Sequence, residues 1–232
     1  MLRIGHKGAD ALVPGNTIAS FTQAVEIGVD LIELDVLWAH KHGPHLIAHD
    51  FADADSRTPH TLDEVLEAFT RPPLDRVEIN LDIKRGEREQ EVIEAVARHG
   101  LTGRAMASGL DLTAIDRIRA LGTELRLGWT VPKVRRQRDL IWARRPLLDV
   151  ALARWRRQLP GIARRQLRDR GVHAVWAHHE LVTSKLVEAV GEHDVKLIAW
   201  TVDDAKRIER LRALGVAGIC TNDPRLLQES GS

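Results

Sequence analysis

Short β-branched and apolar runs alternate along the whole chain with longer segments whose apolar positions recur at helical spacing. The pattern predicts strands at Leu2–His6, Leu31–Val36, Val77–Lys84, Arg104–Ser108, Glu124–Gly128, Val172–Trp176, Lys196–Thr201 and Val216–Thr221. Helical spacing is clear in Ile18–Ile27, Val92–Ala97 and Ile208–Leu214. Gly28, Gly100, Gly122 and Gly215 each follow a helical segment and precede a strand, a position that favours a residue free to turn left-handed. Eight strands alternating with helices call for a parallel sheet. With 232 residues and no obvious break, the expectation is an α/β chain closed into one (β/α)8 TIM barrel, a single domain over residues 1–232. Pro44–His49, after a His42-Gly43 turn, reads as a small hairpin insertion following the second strand. The competing architecture, an open doubly wound sheet, would carry a Gly-rich turn after its first strand. Gly5 and Gly8 around His6 match neither a dinucleotide fingerprint nor a phosphate-cradling loop.

Strands buried on both faces should be almost wholly apolar, and several of these are not. In Ile32-Glu33-Leu34-Asp35-Val36 the two carboxylates share one face and the aliphatic residues the other. Asp82 and Lys84 repeat the arrangement opposite Leu81 and Ile83. The first strand ends in His6-Lys7, and the hairpin ends in His49-Asp50. All of these lie at C-terminal strand ends, where barrel enzymes keep their active sites. Any one such motif is more often a surface face or an ion pair, but four strand ends with complementary chemistry point to one site. Buried charge is costly unless it is paired or binds a cation. Glu33, Asp35 and Asp82 offer an all-oxygen set suited to a hard divalent ion, Mg²⁺ or Ca²⁺. Such an ion, with Lys7 and Lys84, would hold a small-molecule phosphodiester, and His6 and His49 would move protons near neutral pH.

Composition narrows the setting. No apolar run approaches the roughly 20 residues of a membrane-spanning helix, and the first residues lack an exported protein's leader pattern. The lone cysteine, Cys220, excludes an internal disulfide, so a reducing, cytoplasmic location is expected. The histidines His40, His42, His45 and His49 suggest zinc, but His45 and His49 are roughly 13 Å apart at strand rise, too far to share one ion. His178-His179 reads as a polar loop beyond the sixth strand. Trp200, ending the seventh, is a candidate either for the pocket wall or for the core.

These motifs, in this order, resemble the glycerophosphodiester phosphodiesterase family, a TIM-barrel group related to the phosphoinositide-specific phospholipases C. His6-Lys7-Gly8 stands where the family has His-Arg-Gly, and Pro14-Gly15-Asn16-Thr17 where it has Pro-Glu-Asn-Thr. Glu33-Leu34-Asp35 resembles its metal-binding Glu-x-Asp, Ala48-His49-Asp50 its second catalytic His-Asp, and Asp82-Ile83-Lys84 its Glu-x-Lys. Trp200-Thr201-Val202 and Gly218 to Pro224 look like its last two strands, so the likeness covers His6 to Pro224. The resemblance implies metal-dependent hydrolysis to sn-glycerol 3-phosphate and an alcohol. It assigns Glu33, Asp35 and Asp82 to the metal, His6 and His49 to acid–base catalysis, and Lys84 to phosphate, with Lys7 beside it. Four positions depart from the pattern. Lys7 replaces a planar bidentate arginine with a point charge. Gly15 removes an acid, a change expected to accompany Lys7, since without the cationic fork its acidic neighbour loses its purpose. Asp82 is one methylene short of glutamate, as in the barrel-related sphingomyelinase D enzymes. His42-Gly43 replaces an Asp-Gly turn.

Residues 133–170 stand apart, with twelve arginines against three aspartates. Ile141, Leu148, Leu152, Trp155 and Leu159 recur at helical spacing, which predicts an amphipathic basic insert between the fifth and sixth strands, bounded or kinked by Pro146 and Pro160. A solvated outer helix pair is the first reading. The second is an interfacial segment that seats Trp142 and Trp155 on an anionic membrane surface. Nucleic-acid binding is not expected, because charge alone is present without a recognition module. The competing functions are a phospholipase D-like enzyme or lyase acting on (lyso)phospholipid, and a catalytically impaired barrel that binds phosphodiesters.

Overall fold

The structure, a computed structural model, describes residues 1–132, 145–168 and 170–228. Nine strands occur among them: β1 (Leu2–His6), β2 (Leu31–Trp38), β3 (His45–Ile47), β4 (Glu78–Ile83), β5 (Ala105–Leu110), β6 (Arg126–Val131), β7 (Ala174–His178), β8 (Lys196–Trp200) and β9 (Gly218–Thr221). The α-helices are α1 (Ile18–Ile27), α2 (Phe51–Ser56), α3 (Leu62–Phe69), α4 (Glu89–Arg98), α5 (Leu112–Ala120), α6 (Arg145–Leu167), α7 (Ser184–Gly191) and α8 (Ala205–Leu214). Eight strands pair in parallel in the order β1-β9-β8-β7-β6-β5-β4-β2, and β1 also pairs with β2, which closes the barrel. β3 lies antiparallel on β2, with His45 opposite Trp38, as the expected hairpin.

Local chemistry explains the helix boundaries. Thr17 caps α1 through the Ser20 amide, and Thr61 and Glu64 cap α3 reciprocally. Gly28, Gly100, Gly122 and Gly215 all take positive φ, as their places before strands predict. No helix among the described residues is long and apolar enough to cross a membrane.

Two cores fill the barrel. A large one, containing Ile32, Leu34, Val36, Leu81 and Ile83, lies between sheet and helices. A small inner one contains Ile4, Leu31, Met106, Ala174, Trp176, Ile198 and Cys220. Strand alternation carries this division upward. His6 follows Ile4, and Glu33 and Asp35 follow Leu31, on the inner face. The parallel register sets His6 opposite Glu33 and Asp35 opposite Asp82. The polar residues that interrupt the strands thus form a layer over the inner core at the C-terminal mouth.

Three expectations change. The fifth barrel strand runs Arg126–Val131 instead of Glu124–Gly128, because its parallel pairing with β7 continues to Val131 opposite Ala177. The sixth runs on to His178, which pairs with Trp200 and is therefore a strand end and not loop. In the basic insert, α6 begins with Arg145-Pro146, where proline's missing amide costs nothing, and passes through Pro160. Its buried stripe is Leu159, Ala163 and Leu167, with Leu152 partly buried, while Trp155 is 41% exposed. Ile141 and Trp142 lie outside the described residues.

Candidate active site

β2 and β4 bring Glu33, Asp35 and Asp82 together at the mouth, with one oxygen of each within 4.8 Å of the others. Glu33 and Asp35 are buried and Asp82 is partly exposed. Lys84 Nζ stands between two of the acids, 2.6 Å from Asp35 Oδ1 and in contact with Asp82 Oδ2. One ammonium among three carboxylates leaves an excess of negative charge. Burial pushes the Glu33 carboxyl well above its ordinary range, and the Asp35 and Asp82 carboxylates add to the shift. Burial also opposes ionisation of Asp35, but Lys84, Lys7 and the two site imidazoles outweigh it and hold its pKa low. Burial likewise works against the Lys84 charge, and Asp35, Asp82 and Glu33 overcome it to raise the ammonium well above its usual value.

This donor set fits a divalent cation. Its ligand atoms are all hard oxygens, and the one close cationic partner of the fully buried Asp35 Oδ1 among the described residues, Lys84 at 2.6 Å, is shared with Asp82. Asp82 joins the group although it is shorter than the family's glutamate. The β5 bulge between Ala107 and Leu110 brings Gly109 against it, at φ +73°, where a Cβ would lie 2.2 Å from Asp82 Oδ1. Among the described residues this is the one group of three or more metal-capable side chains, and the histidines of residues 40–49 form none. Replacing Lys84 by methionine in metal-free protein is expected to destabilise the fold by about 3 kcal/mol, because Asp35 and Asp82 lose their counter-charge in a buried place. Urea unfolding measures this, and an added divalent ion should recover part of the loss.

The remaining site residues surround this centre. His6 sits at the end of β1 with Nε2 3.9 Å from Glu33 Oε2 and Nδ1 2.6 Å from Asn222 Oδ1. Burial pushes its imidazole below the ordinary value, against the pull of Asp35. His49 follows β3, is one-third exposed, and places Nδ1 3.1 Å from Asp50 Oδ2. Its backbone amide donates to Asp53, and Arg57 holds the Asp53 carboxylate. Lys7, in left-handed backbone at φ 50°, donates its amide to Glu33 Oε2 at 3.0 Å and lies 3.9 Å from Asp10 through its ammonium. Asp10 also accepts from the Gly15 amide at 2.8 Å, and a Cβ on Gly15 would lie 2.3 Å from Asp10 Oδ1 and 2.8 Å from Lys7 Cβ. Asp10 thus puts a carboxylate beside Lys7 in the space a side chain at position 15 would take, so an acidic neighbour persists where the loss of the cationic fork was expected to make one needless. Of the two readings of Trp200, the structure bears on the core one. The side chain packs on the inner core, with His178 edge-on at 5.5 Å, and its indole N–H is buried without a partner.

Several supporting residues escaped the sequence reading. Asn16, buried at φ 57°, donates to Asp35 Oδ2 at 2.8 Å and accepts from the Asp35 backbone amide at 3.1 Å, so it holds both the side chain and the main chain of that residue. Ser108 lies beside Asp82 and accepts from Asn80. Asn16 stood in a recognised motif, and that was its only signal. Ser108 had none.

A closed parallel barrel with an acidic, cation-seeking mouth flanked by two imidazoles and two lysines defines the class, a TIM-barrel enzyme built to act on a phosphate ester. The sequence profile of the glycerophosphoryl diester phosphodiesterase family matches residues 6–58 and 52–226, and the chain belongs to that family. It is 27% identical over 261 residues to a glycerophosphodiester phosphodiesterase of Caldanaerobacter subterraneus subsp. tengcongensis, covering 97% of this chain and 96% of the relative. Its fold matches the crystal structure of a glycerophosphodiester phosphodiesterase from Thermotoga maritima with a TM-score of 0.69 at 19% identity, over 98% and 97% of the two chains. It also matches a phosphodiesterase of Oleispira antarctica solved in complex with the product sn-glycerol-3-phosphate, with a TM-score of 0.68 at 19% identity, over 96% and 93%.

Proposed function

We propose that this chain hydrolyses glycerophosphodiesters to sn-glycerol 3-phosphate and an alcohol in a divalent-metal-dependent reaction. The observation that carries the reading is the convergence of Glu33, Asp35 and Asp82 within 4.8 Å at the mouth of a barrel whose family is known. The product held by the Oleispira antarctica enzyme supports the substrate class. Oxygen-only ligation favours Mg²⁺ or Ca²⁺ over zinc. Bound by these three carboxylates, such an ion supplies a Lewis acid for the phosphoryl oxygens. The Lys84 and Lys7 ammonium groups add fixed positive charge where the transition state gathers negative charge. His6 and His49 carry the protons between nucleophile and leaving oxygen. The test is an assay of glycerophosphocholine beside lysophosphatidylcholine, with and without added Mg²⁺ or Ca²⁺. Metal-dependent turnover of the first is expected. Turnover of the second alone would move the assignment to a phospholipase D-like enzyme, and a folded, metal-binding protein that turns over neither would be a binding barrel.

The basic insert favours a second contact. Val150 is 67% exposed and Trp155 41% exposed on α6, among the exposed Arg154, Arg156 and Arg157. Apolar and aromatic side chains among arginines suit an anionic bilayer surface. Co-sedimentation with phosphatidylserine-containing vesicles at low salt is the expected outcome, weakened at high salt and by Trp155→Glu. No binding at low salt would leave α6 as a solvated outer helix.

A further inference from the structure

The loops after β8 and β9 hold two residues to which the chemistry above gives no part. Asp203 accepts three hydrogen bonds, from the Thr221 hydroxyl at 2.9 Å, the Asn222 amide at 2.8 Å and Asn222 Nδ2 at 2.6 Å. An ionised carboxylate only accepts, so the Asn222 side chain must turn its nitrogen to Asp203 and its oxygen away. That oxygen lies 2.6 Å from His6 Nδ1. An amide oxygen cannot donate, so the proton of that bond belongs to the imidazole. We propose that Asp203 and Asn222 are positioning residues that lock His6 in its Nδ1–H tautomer. Nε2 is then unprotonated and turned toward Glu33, 3.9 Å away, as a proton acceptor at the start of turnover. The order of control is one-way: the Asp203 carboxylate sets the amide, the amide sets the tautomer, and the tautomer sets which nitrogen reaches the substrate. The activity part of this inference rests on the phosphodiesterase reading, and the tautomer part does not.

The test uses the full-length protein with ¹⁵N-labelled histidine. Long-range ¹H–¹⁵N correlations report which ring nitrogen carries the proton, and a His6→Ala sample identifies the His6 signals. The neutral His6 ring is expected to show a protonated Nδ1 and a bare Nε2. Asp203→Asn places an NH₂ group against the Asn222 NH₂ group, which turns the Asn222 amide over and presents its N–H to His6 Nδ1. The tautomer is expected to switch to Nε2–H, and kcat on glycerophosphocholine to fall about 10- to 100-fold with KM changed less than about twofold. In the double variant Asp203→Asn/Asn222→Asp the donor and acceptor exchange places. The new amide donates to the new carboxylate, which accepts from His6 Nδ1–H, so the original tautomer and most of kcat should return. A purely structural role would not give that rescue. Should Asp203→Asn not fold, Asn222→Ala, which removes the acceptor, is expected to give a mixture of tautomers. The proposal is overturned by an Nε2–H tautomer in the unmodified protein, by a tautomer unchanged in the folded single variants, or by a folded double variant that recovers neither tautomer nor turnover. A correct tautomer in a protein that turns over no glycerophosphodiester would count against the proposed function and leave the lock standing.

Discussion

With alanine in place of His49, kcat is expected to fall by about 10²- to 10⁴-fold while the fold and metal binding persist. The side chain is one-third exposed and its ring pairs with the exposed carboxylate of the neighbouring Asp50, so little packing is lost. The Asp53 interaction that shapes this turn uses the His49 backbone amide, which alanine retains. Both His49 and His6 lie near enough to Asp35 to lower its pKa, which ties His49 to the carboxylate centre although it comes from the hairpin and not from a barrel strand. Single-turnover and steady-state kinetics on the folded variant check the prediction. Activity near that of the unmodified protein would remove His49 from the proton-transfer pair.

Asp35→Asn is expected to be at least as damaging, by a different route. Asp35 is wholly buried, is clamped by Asn16 and pairs with Lys84, so it cannot turn away from the centre. Neutralising it removes a charged ligand and leaves the Lys84 ammonium with Asp82 as its remaining close partner. Calorimetric titration with Mg²⁺ or Ca²⁺ should show affinity reduced by about 100-fold or more, and kcat/KM should fall below about 1% of the original. Chelation by EDTA should silence the unmodified enzyme in the same way, with activity returning on addition of the ion. A variant that binds the ion normally would contradict the assignment of Asp35 as a ligand.

Much of this is legible in the sequence. Alternation on β2 places Glu33 and Asp35 on the face of Leu31, and the barrel pattern places the ends of β1, β2 and β4 together, so the carboxylate centre follows from period and topology. What stayed hidden depends on contacts across the chain that no local pattern encodes. His6 and Asn222 are 216 residues apart and meet only because β1 closes the barrel against β9. Asp10 became the acid beside Lys7 through a loop turning back on itself, so the sequence registered only the loss at position 15. Spacing alone does not say which side of a helix is buried: Trp155 fits the apolar repeat, yet the buried stripe turns through Leu159, Ala163 and Leu167. His178 reads as loop from its composition, whereas the end of β7 is decided by pairing with β6 and β8.

The most direct measurement of the central claim is ³¹P NMR of glycerophosphocholine incubated with the purified protein, first with EDTA and then with excess Mg²⁺ or Ca²⁺. The diester resonance should be unchanged with EDTA and should convert to sn-glycerol 3-phosphate, with release of choline, once the ion is present. A diester resonance that persists with folded, metal-loaded protein, or conversion to phosphocholine and glycerol, would contradict the account.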